Sequence, residues 1–312
     1  MEPCPPSMES VLFDPNPTFG ALQIGVVLSS ILFGVTNTQT YIYYSRFPED
    51  SWRIKALVAF VWTFELAHTV CITHMLYTYT ILDYGHPERL VTRAAPRSFE
   101  AAVFISGVIT AVVQGFFALR IYQLSKTLFI PGVSWALSLV RMGGTTLICV
   151  VGVRMVNLHS FLVQWGWAAL AIWSVSAAND LLIAMTLAFL LYSQRNNVHK
   201  RTAALVDKLI EWTIETGMVT SALGIVTLIC YVKMRDNFIW VSLFVIGARV
   251  FSNSLLASLN SRVALRAMND EVTLLSMPAP KFGSRSDHTN SQIQITKTTQ
   301  VDSDITKSMQ MA

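Results

Sequence analysis

Hydrophobic residues occur along the chain in seven long runs, separated by short segments in which charged residues cluster. Each run is close to the length of about 20 apolar residues that a helix needs to cross the roughly 30 Å hydrocarbon core of a bilayer. Lipid offers no hydrogen-bond partners to the backbone, so such runs are predicted to be α-helices. The predicted spans are 18–44, 56–79, 99–122, 129–156, 167–192, 209–231 and 238–259.

The composition of the 312 residues also favours a membrane protein. Hydrophobic residues make up 53% of the chain and charged residues 13%, whereas a soluble globular domain carries roughly 25% charged residues. The net charge is only +4, and no basic patch is interleaved with aromatic residues, which argues against nucleic-acid binding. We therefore predict an all-α fold, a polytopic seven-transmembrane helix bundle whose main partner is the lipid bilayer.

The distribution of Lys and Arg predicts the orientation of this bundle. With the N-terminus outside, eleven basic residues lie in inside loops or just after span seven, and six lie outside. The positive-inside rule then makes residues 1–17 a short extracellular N-terminus, 18–262 the membrane domain and 263–312 a cytoplasmic tail. The plasma membrane is the expected location, because the last residues of the chain, 310–312, do not form a retrieval signal.

The composition changes after Asn269. Residues 271–312 contain twelve Ser or Thr and, apart from Phe282, no aromatic residue. Such a segment buries too little apolar surface to offset its ordering entropy, so the tail is predicted to be disordered. Before span six, the apolar residues of 201–212 recur with a helical period, which predicts an interfacial helix. This helix and the tail are the expected contact surfaces for a cytoplasmic partner.

Ionisable residues near the middle of predicted spans are the main candidates for chemistry, because each costs about 2.5–3.5 kcal/mol to insert. Two of them are acidic and two are basic, which predicts mutual pairing. Since spans two and seven, and spans four and five, are often neighbours in a seven-helix ring, we pair Glu65 with Arg249 and Asp180 with Arg141. With two adjacent polar side chains, the predicted intramembrane polar cluster comprises Glu65, His68, Arg141, Asp180, Arg249 and Asn253.

This cluster is either a set of structural ion pairs or a site for a ligand or a proton, and the residues alone leave both open. Glu65 and His68 are three positions apart and share a helix face. Carboxylate di-iron sites need the Glu-x-x-His motif on two helices, and only one copy lies in a predicted span. Neither a metal nor another cofactor is therefore predicted.

Motifs of known chemistry do not occur in the chain. Span seven offers no lysine for a retinal Schiff base, and no P-loop, G-x-S-x-G or H-E-x-x-H motif is found. No set of catalytic side chains emerges from the pattern. The protein is therefore not expected to be an enzyme.

Short motifs extend over most of the predicted membrane domain. They read GALQIG at 20–25, QTYIYY at 39–44, RFPED at 46–50, NDLLIA at 179–184 and NSLLASLNSR at 253–262. Together these motifs resemble a large family of seven-span membrane proteins from mushroom-forming basidiomycete fungi that carries a domain of unknown function. The resemblance covers residues 18–262. It implies the seven-span topology but no established activity, ligand or catalytic residue.

Several function classes remain compatible with this pattern. A receptor-like sensor of an unidentified ligand is favoured, because seven spans, an outside N-terminus and a Ser/Thr-rich tail match its outline, although such a match is only analogy. A transporter or channel subunit that uses the midplane charges is the first alternative. A membrane scaffold or a membrane enzyme is the second.

Overall fold

Over the residues that it describes, the computed structural model is an all-α bundle of seven long helices. These residues are 16–86, 89, 94–155, 158–195, 200–234 and 237–275. Short π-helical turns at Asn16–Gly20 and Thr78–Leu82 adjoin the first two helices. The helices are α1 (Ala21–Arg46), α2 (Trp52–Tyr77), α3 (Arg97–Ser125), α4 (Phe129–Arg154), α5 (Leu158–Arg195), α6 (Lys200–Lys233) and α7 (Ile239–Leu275).

Each of these helices contains a stretch that is long and apolar enough to cross a bilayer. The predicted all-α membrane bundle is thus confirmed, and the chain is a multi-pass membrane protein. Apolar side chains such as Ile24, Val70 and Phe189 are exposed on the outer faces of their helices. Helices that face hydrocarbon require apolar side chains on their exposed faces.

Two helices extend beyond their predicted spans. α6 begins at Lys200, so the segment 201–212 is helical, as predicted, and continuous with the span. α7 continues to Leu275, so residues 263–275 of the predicted disordered tail are helical. Extending an existing helix needs no new nucleus, and neither Gly nor Pro interrupts these residues. Residues 1–15 and 276–312, which include the rest of the predicted tail, lie outside the described residues.

The helices form a ring in which each packs against the next and α7 packs against α1. α3 and α7 also contact each other across the ring. These two helices are the most interior, since 44% and 56% of their apolar stretches are buried, against 12% for α6. We use the term first-loop side for the end of the bundle that carries residues 47–51, and second-loop side for the end that carries residues 83–86 and 94–96.

α1 and α7 run parallel and in close contact. Side chains of α7 donate hydrogen bonds to backbone carbonyls of α1 that lie 221 positions earlier in the chain: Ser242 to Ala21 (2.6 Å), Asn253 to Leu32 (3.2 Å) and Asn260 to Gln39 (2.8 Å). The helices approach most tightly at Gly25, where a Cβ atom would lie 2.8 Å from the Cα atom of Ser242. Small residues permit this kind of approach in membranes.

We expect Gly25→Ala to destabilise the protein by about 1–3 kcal/mol, the range for overpacking, because the new methyl group meets the backbone of α7. Gly34→Ala is the matched control on the same helix, since a Cβ atom there meets nothing within 4 Å. Thermal unfolding of both variants in detergent measures the difference. Equal melting temperatures for Gly25→Ala and Gly34→Ala would contradict the close packing of α1 on α7.

Candidate functional site

A fully buried ion pair joins α2 to α7. The side chains of Glu65 and Arg249 are both 0% exposed, and a guanidinium nitrogen of Arg249 contacts Oε2 of Glu65. Ser252, also on α7, donates a hydrogen bond to Oε1 of the same carboxylate. The predicted pairing of Glu65 with Arg249 is therefore present in the structure.

The rest of the Arg249 guanidinium is also satisfied. Its Nε donates to Ser29 Oγ (2.9 Å), its Nη1 to the backbone oxygen of Glu65 (2.9 Å) and its Nη2 to Thr69 Oγ1 (2.8 Å). The ring of Phe33 covers the group, with 5.2 Å between the ring centroid and Cζ. The pair thus forms a connection between α1, α2 and α7 that is closed to solvent. These contacts favour a role in helix packing.

Of the other predicted residues beside this pair, His68 is buried and Asn253 is half-buried. Asn253 donates to the carbonyls of Leu32 (3.2 Å) and Arg249 (2.9 Å) and so connects α7 to α1. His68 lies on the buried face of α2, and neither ring nitrogen has a hydrogen-bond partner within the described part of the chain. Among the same residues, no group of three or more potential metal ligands comes together. Glu65 and His68 share a face of α2 as predicted, but the Glu65 carboxylate is bonded to Arg249 and Ser252 of α7.

Asp180 on α5 belongs to a hydrogen-bonded network that joins three helices. Its Oδ1 accepts a hydrogen bond from Gln114 Nε2 on α3 (2.8 Å). Gln114 Oε1 in turn accepts from Ser138 Oγ on α4 (2.9 Å) and from Asn179 Nδ2 (3.2 Å). The amide of Gln114 therefore fixes the Asp180 carboxylate at the junction of α3, α4 and α5.

Arg141 on α4 is buried with few partners. It is 5% exposed, its Nη1 donates to the backbone oxygen of Gly107 over 3.4 Å, and its Nε has no partner among the described residues. Within the described part of the chain, no ion pair joins Arg141 to Asp180. Arg141 and Asp180 influence each other electrostatically without a direct ion pair, and Oδ1 of Asp180 is bonded to the neutral side chain of Gln114 instead.

Arg141 and Asp180 nevertheless line a common space between the helices. Among the described residues, three adjoining cavities lie between the helices. We name them the second-loop, central and first-loop cavities. Arg141 lines the first two and Asp180 the last two. The two charged groups thus stand at the successive boundaries between cavities.

The second-loop cavity is mainly apolar, and part of its wall is aromatic. The ring of Trp173 lies with its centroid 5.1 Å from that of Tyr231, 5.7 Å from that of Trp240 and 5.6 Å from that of Phe244. Glu100, near the start of α3, lines the same cavity. A cavity with apolar aromatic walls and a few charged groups is the usual form of a small-molecule site.

A second polar cluster lies on the first-loop side. Arg262 at the end of the α7 span makes a bidentate pair with Asp50 (2.5 and 3.2 Å), and its guanidinium stacks 4.2 Å from the ring centroid of Phe47. Tyr43 donates a hydrogen bond to the same carboxylate (3.0 Å). We name Tyr43, Phe47, Asp50 and Arg262 the first-loop clamp. It fixes the first loop to α7.

Sequence reasoning missed Glu100 and Trp240 as site residues. Glu100 is the second residue of the predicted span 99–122. It was therefore considered neither with the charged residues of the preceding loop nor with those near the middle of the spans. Its position inside an apolar run is a signal that identifies it. Trp240 carries no such signal, because an aromatic residue in a span is equally suited to packing and to a cavity wall.

Comparison with known proteins gives one partial match. Residues 176–264 match the profile of a family of unknown function (DUF6534). This agrees with the expected domain of unknown function, and the matched segment contains Asp180, Arg249 and Arg262. No curated protein and no solved structure matches the chain.

We expect Arg249→Met and Glu65→Leu each to destabilise the protein by about 3–5 kcal/mol, because each leaves a buried charge without its partner. The double variant leaves no charge behind, so it is expected to regain much of this loss. Folded yield and thermal unfolding in detergent measure all three proteins. Arg53→Met and Glu49→Leu, the same changes at exposed positions, are the controls. A double variant as unstable as the worse single variant would show that the two groups do not act as a pair.

Proposed function

We propose that the protein is a receptor-like sensor in the plasma membrane that binds a small molecule in the cavities lined by the five helices α3 to α7. One observation carries the proposal: Arg141 and Asp180 are buried in the middle parts of their helices, line adjoining cavities and form no direct ion pair with each other. Ionisable groups in a membrane mark sites of function by default, since their insertion is costly. The sealed pair of Glu65 and Arg249 is the structural contrast.

The second-loop side faces outward in this proposal. The excess of basic residues on the first-loop side supports the orientation through the positive-inside rule. The second-loop cavity would then receive a ligand from outside the cell. The resemblance to the seven-span proteins of basidiomycete fungi is compatible with this topology and supplies no ligand.

α7 is the element best placed to transmit binding to the opposite side. Its residues Phe244 and Phe251 line the cavities, and its Arg262 belongs to the first-loop clamp. α6 is the least buried helix and lines the cavities with Thr220 and Gly224. A ligand that packs better with one position of these helices than with another shifts their equilibrium. The affected surface would include the segment before span six that is expected to meet a cytoplasmic partner.

A transporter is the second candidate, and one observation favours it. The three cavities adjoin in a row that extends from Ala94, next to α3 on the second-loop side, to Leu187 in the half of α5 nearer the first-loop side. A transporter must open this row to both sides of the membrane in turn. A sensor needs access from the outside only.

Cysteine accessibility separates the two candidates. In a background in which the native cysteines are replaced by alanine, Ala169→Cys probes the second-loop cavity and Leu187→Cys the first-loop cavity. A membrane-impermeant thiol reagent is applied to intact cells and to inside-out vesicles. For a sensor we expect modification of Ala169→Cys from the outside and of neither position from the inside, because the row of cavities stays closed toward the first-loop side.

The exposed positions Tyr84→Cys and Glu49→Cys are the controls for the outside and the inside respectively. Modification of Leu187→Cys from the inside would favour the transporter. Protection of Ala169→Cys from both sides would show that the cavity is not accessible, which contradicts the proposal. Modification of Glu49→Cys in intact cells would show that the first-loop side faces outward, opposite to the proposed orientation.

A further inference from the structure

We propose that the second-loop cavity binds an organic carboxylate with an aromatic body, and that Arg141 holds its carboxylate. This inference rests on the proposed ligand-binding role of the cavity and names the class of ligand. It follows from the hydrogen-bonding groups on the cavity wall that have no partner, and from the shape and chemistry of the remaining wall.

Arg141 is the group that requires an anion. A guanidinium presents several N–H donors in one plane and has no acceptor. Here one donor makes a long bond to a carbonyl, and Nε makes none within the described chain. A carboxylate supplies both the opposite charge and paired acceptors, the geometry that a guanidinium binds best. Because Arg141 is only 5% exposed, bulk water is a poor substitute for such an acceptor.

The acidic side chains nearby do not take this role. Asp180 acts on Arg141 electrostatically but forms no direct ion pair with it, and its Oδ1 is bonded to Gln114. Glu65 is bonded to Arg249 and Ser252. Glu100 lines the same cavity but precedes Gly107, the contact of Arg141, by seven residues on α3. This separation is about 10 Å along the helix. The carboxylate of Glu100 instead lies against Gly152, near the second-loop side.

Trp240 adds a second donor to the same cavity. Its indole Nε1 is buried and has no acceptor among the described residues. The cavity wall therefore offers unpartnered donors, and a ligand that satisfies them must bring acceptor oxygens. A cationic ligand would leave both donors unpaired and would add its charge to that of Arg141.

The remaining wall selects an aromatic body. Trp173, Tyr231 and Phe244 line the cavity, and aromatic rings gain from offset or edge-to-face contacts with one another. The wall thus sets two conditions, an anionic group for Arg141 and an aromatic body for the rings. A bicyclic aromatic acid satisfies both conditions.

The test compares three probes that share one ring system. The full-length protein, in nanodiscs of neutral phosphatidylcholine, is titrated with 2-naphthoate, 2-naphthalenemethanol and 2-naphthylmethylamine, and binding is measured by calorimetry. We expect 2-naphthoate to bind about tenfold or more tightly than the alcohol, as a charged hydrogen bond contributes, and the amine to bind more weakly than either.

Variants then assign the contact. Arg141→Gln is expected to lose about tenfold or more in affinity for 2-naphthoate and little for the alcohol, whereas Arg141→Lys retains part of the preference because it keeps the charge. Trp240→Phe removes the indole N–H and is expected to weaken 2-naphthoate several-fold. Arg154→Gln, the same change at an exposed position of α4, is the control and is expected to bind as the native protein does.

Equal affinity of the native protein for the acid and the alcohol would overturn the inference. This comparison uses no variant, so it does not depend on whether a variant folds. An unchanged preference in a folded Arg141→Gln protein would overturn it as well. If none of the probes binds while Ala169→Cys is still modified from the outside, the ligand class is wrong and the proposed sensor stands. If that cysteine is protected from both sides, the proposed function fails with it.

Discussion

The packing of the bundle depends on how the charge of Arg249 is satisfied in the membrane. A guanidinium in hydrocarbon needs a counter-charge and hydrogen bonds from neighbouring helices. α2 supplies Glu65 and Thr69, and α1 supplies Ser29. Since lipid is as apolar as the helix faces, apolar contact alone does not favour one arrangement over another. The polar contacts of Arg249 therefore specify how α1, α2 and α7 fit together.

The opposite half of the ring is built on a different principle. Around Arg141 and Asp180 the helices stand far enough apart to leave adjoining cavities, and the polar groups are only partly satisfied. One half of the ring is thus a closed scaffold, and the other half carries the space and the chemistry that a ligand requires. α3 and α7, the most interior helices, belong to both halves.

Hydropathy was sufficient to predict the spans, because the bilayer imposes a length and a composition that can be counted along the chain. Charge balance and ring order predicted the contact of Glu65 with Arg249. The same reasoning did not identify the hydrogen bond of Asp180 to Gln114, since it considered only charged partners and Gln114 is neutral. The cavities were beyond prediction, because their walls combine side chains from five helices whose separations no residue pattern encodes.

The partners in the sealed ion pair lie 184 positions apart in the chain. At a synthesis rate of about 5–20 residues per second, α7 enters the bilayer on the order of ten seconds or more after α2. Throughout that interval the nascent protein holds an acidic side chain at the membrane without its counter-ion. Until translation delivers α7, the Glu65 carboxyl must therefore carry a proton or keep contact with water or other polar groups.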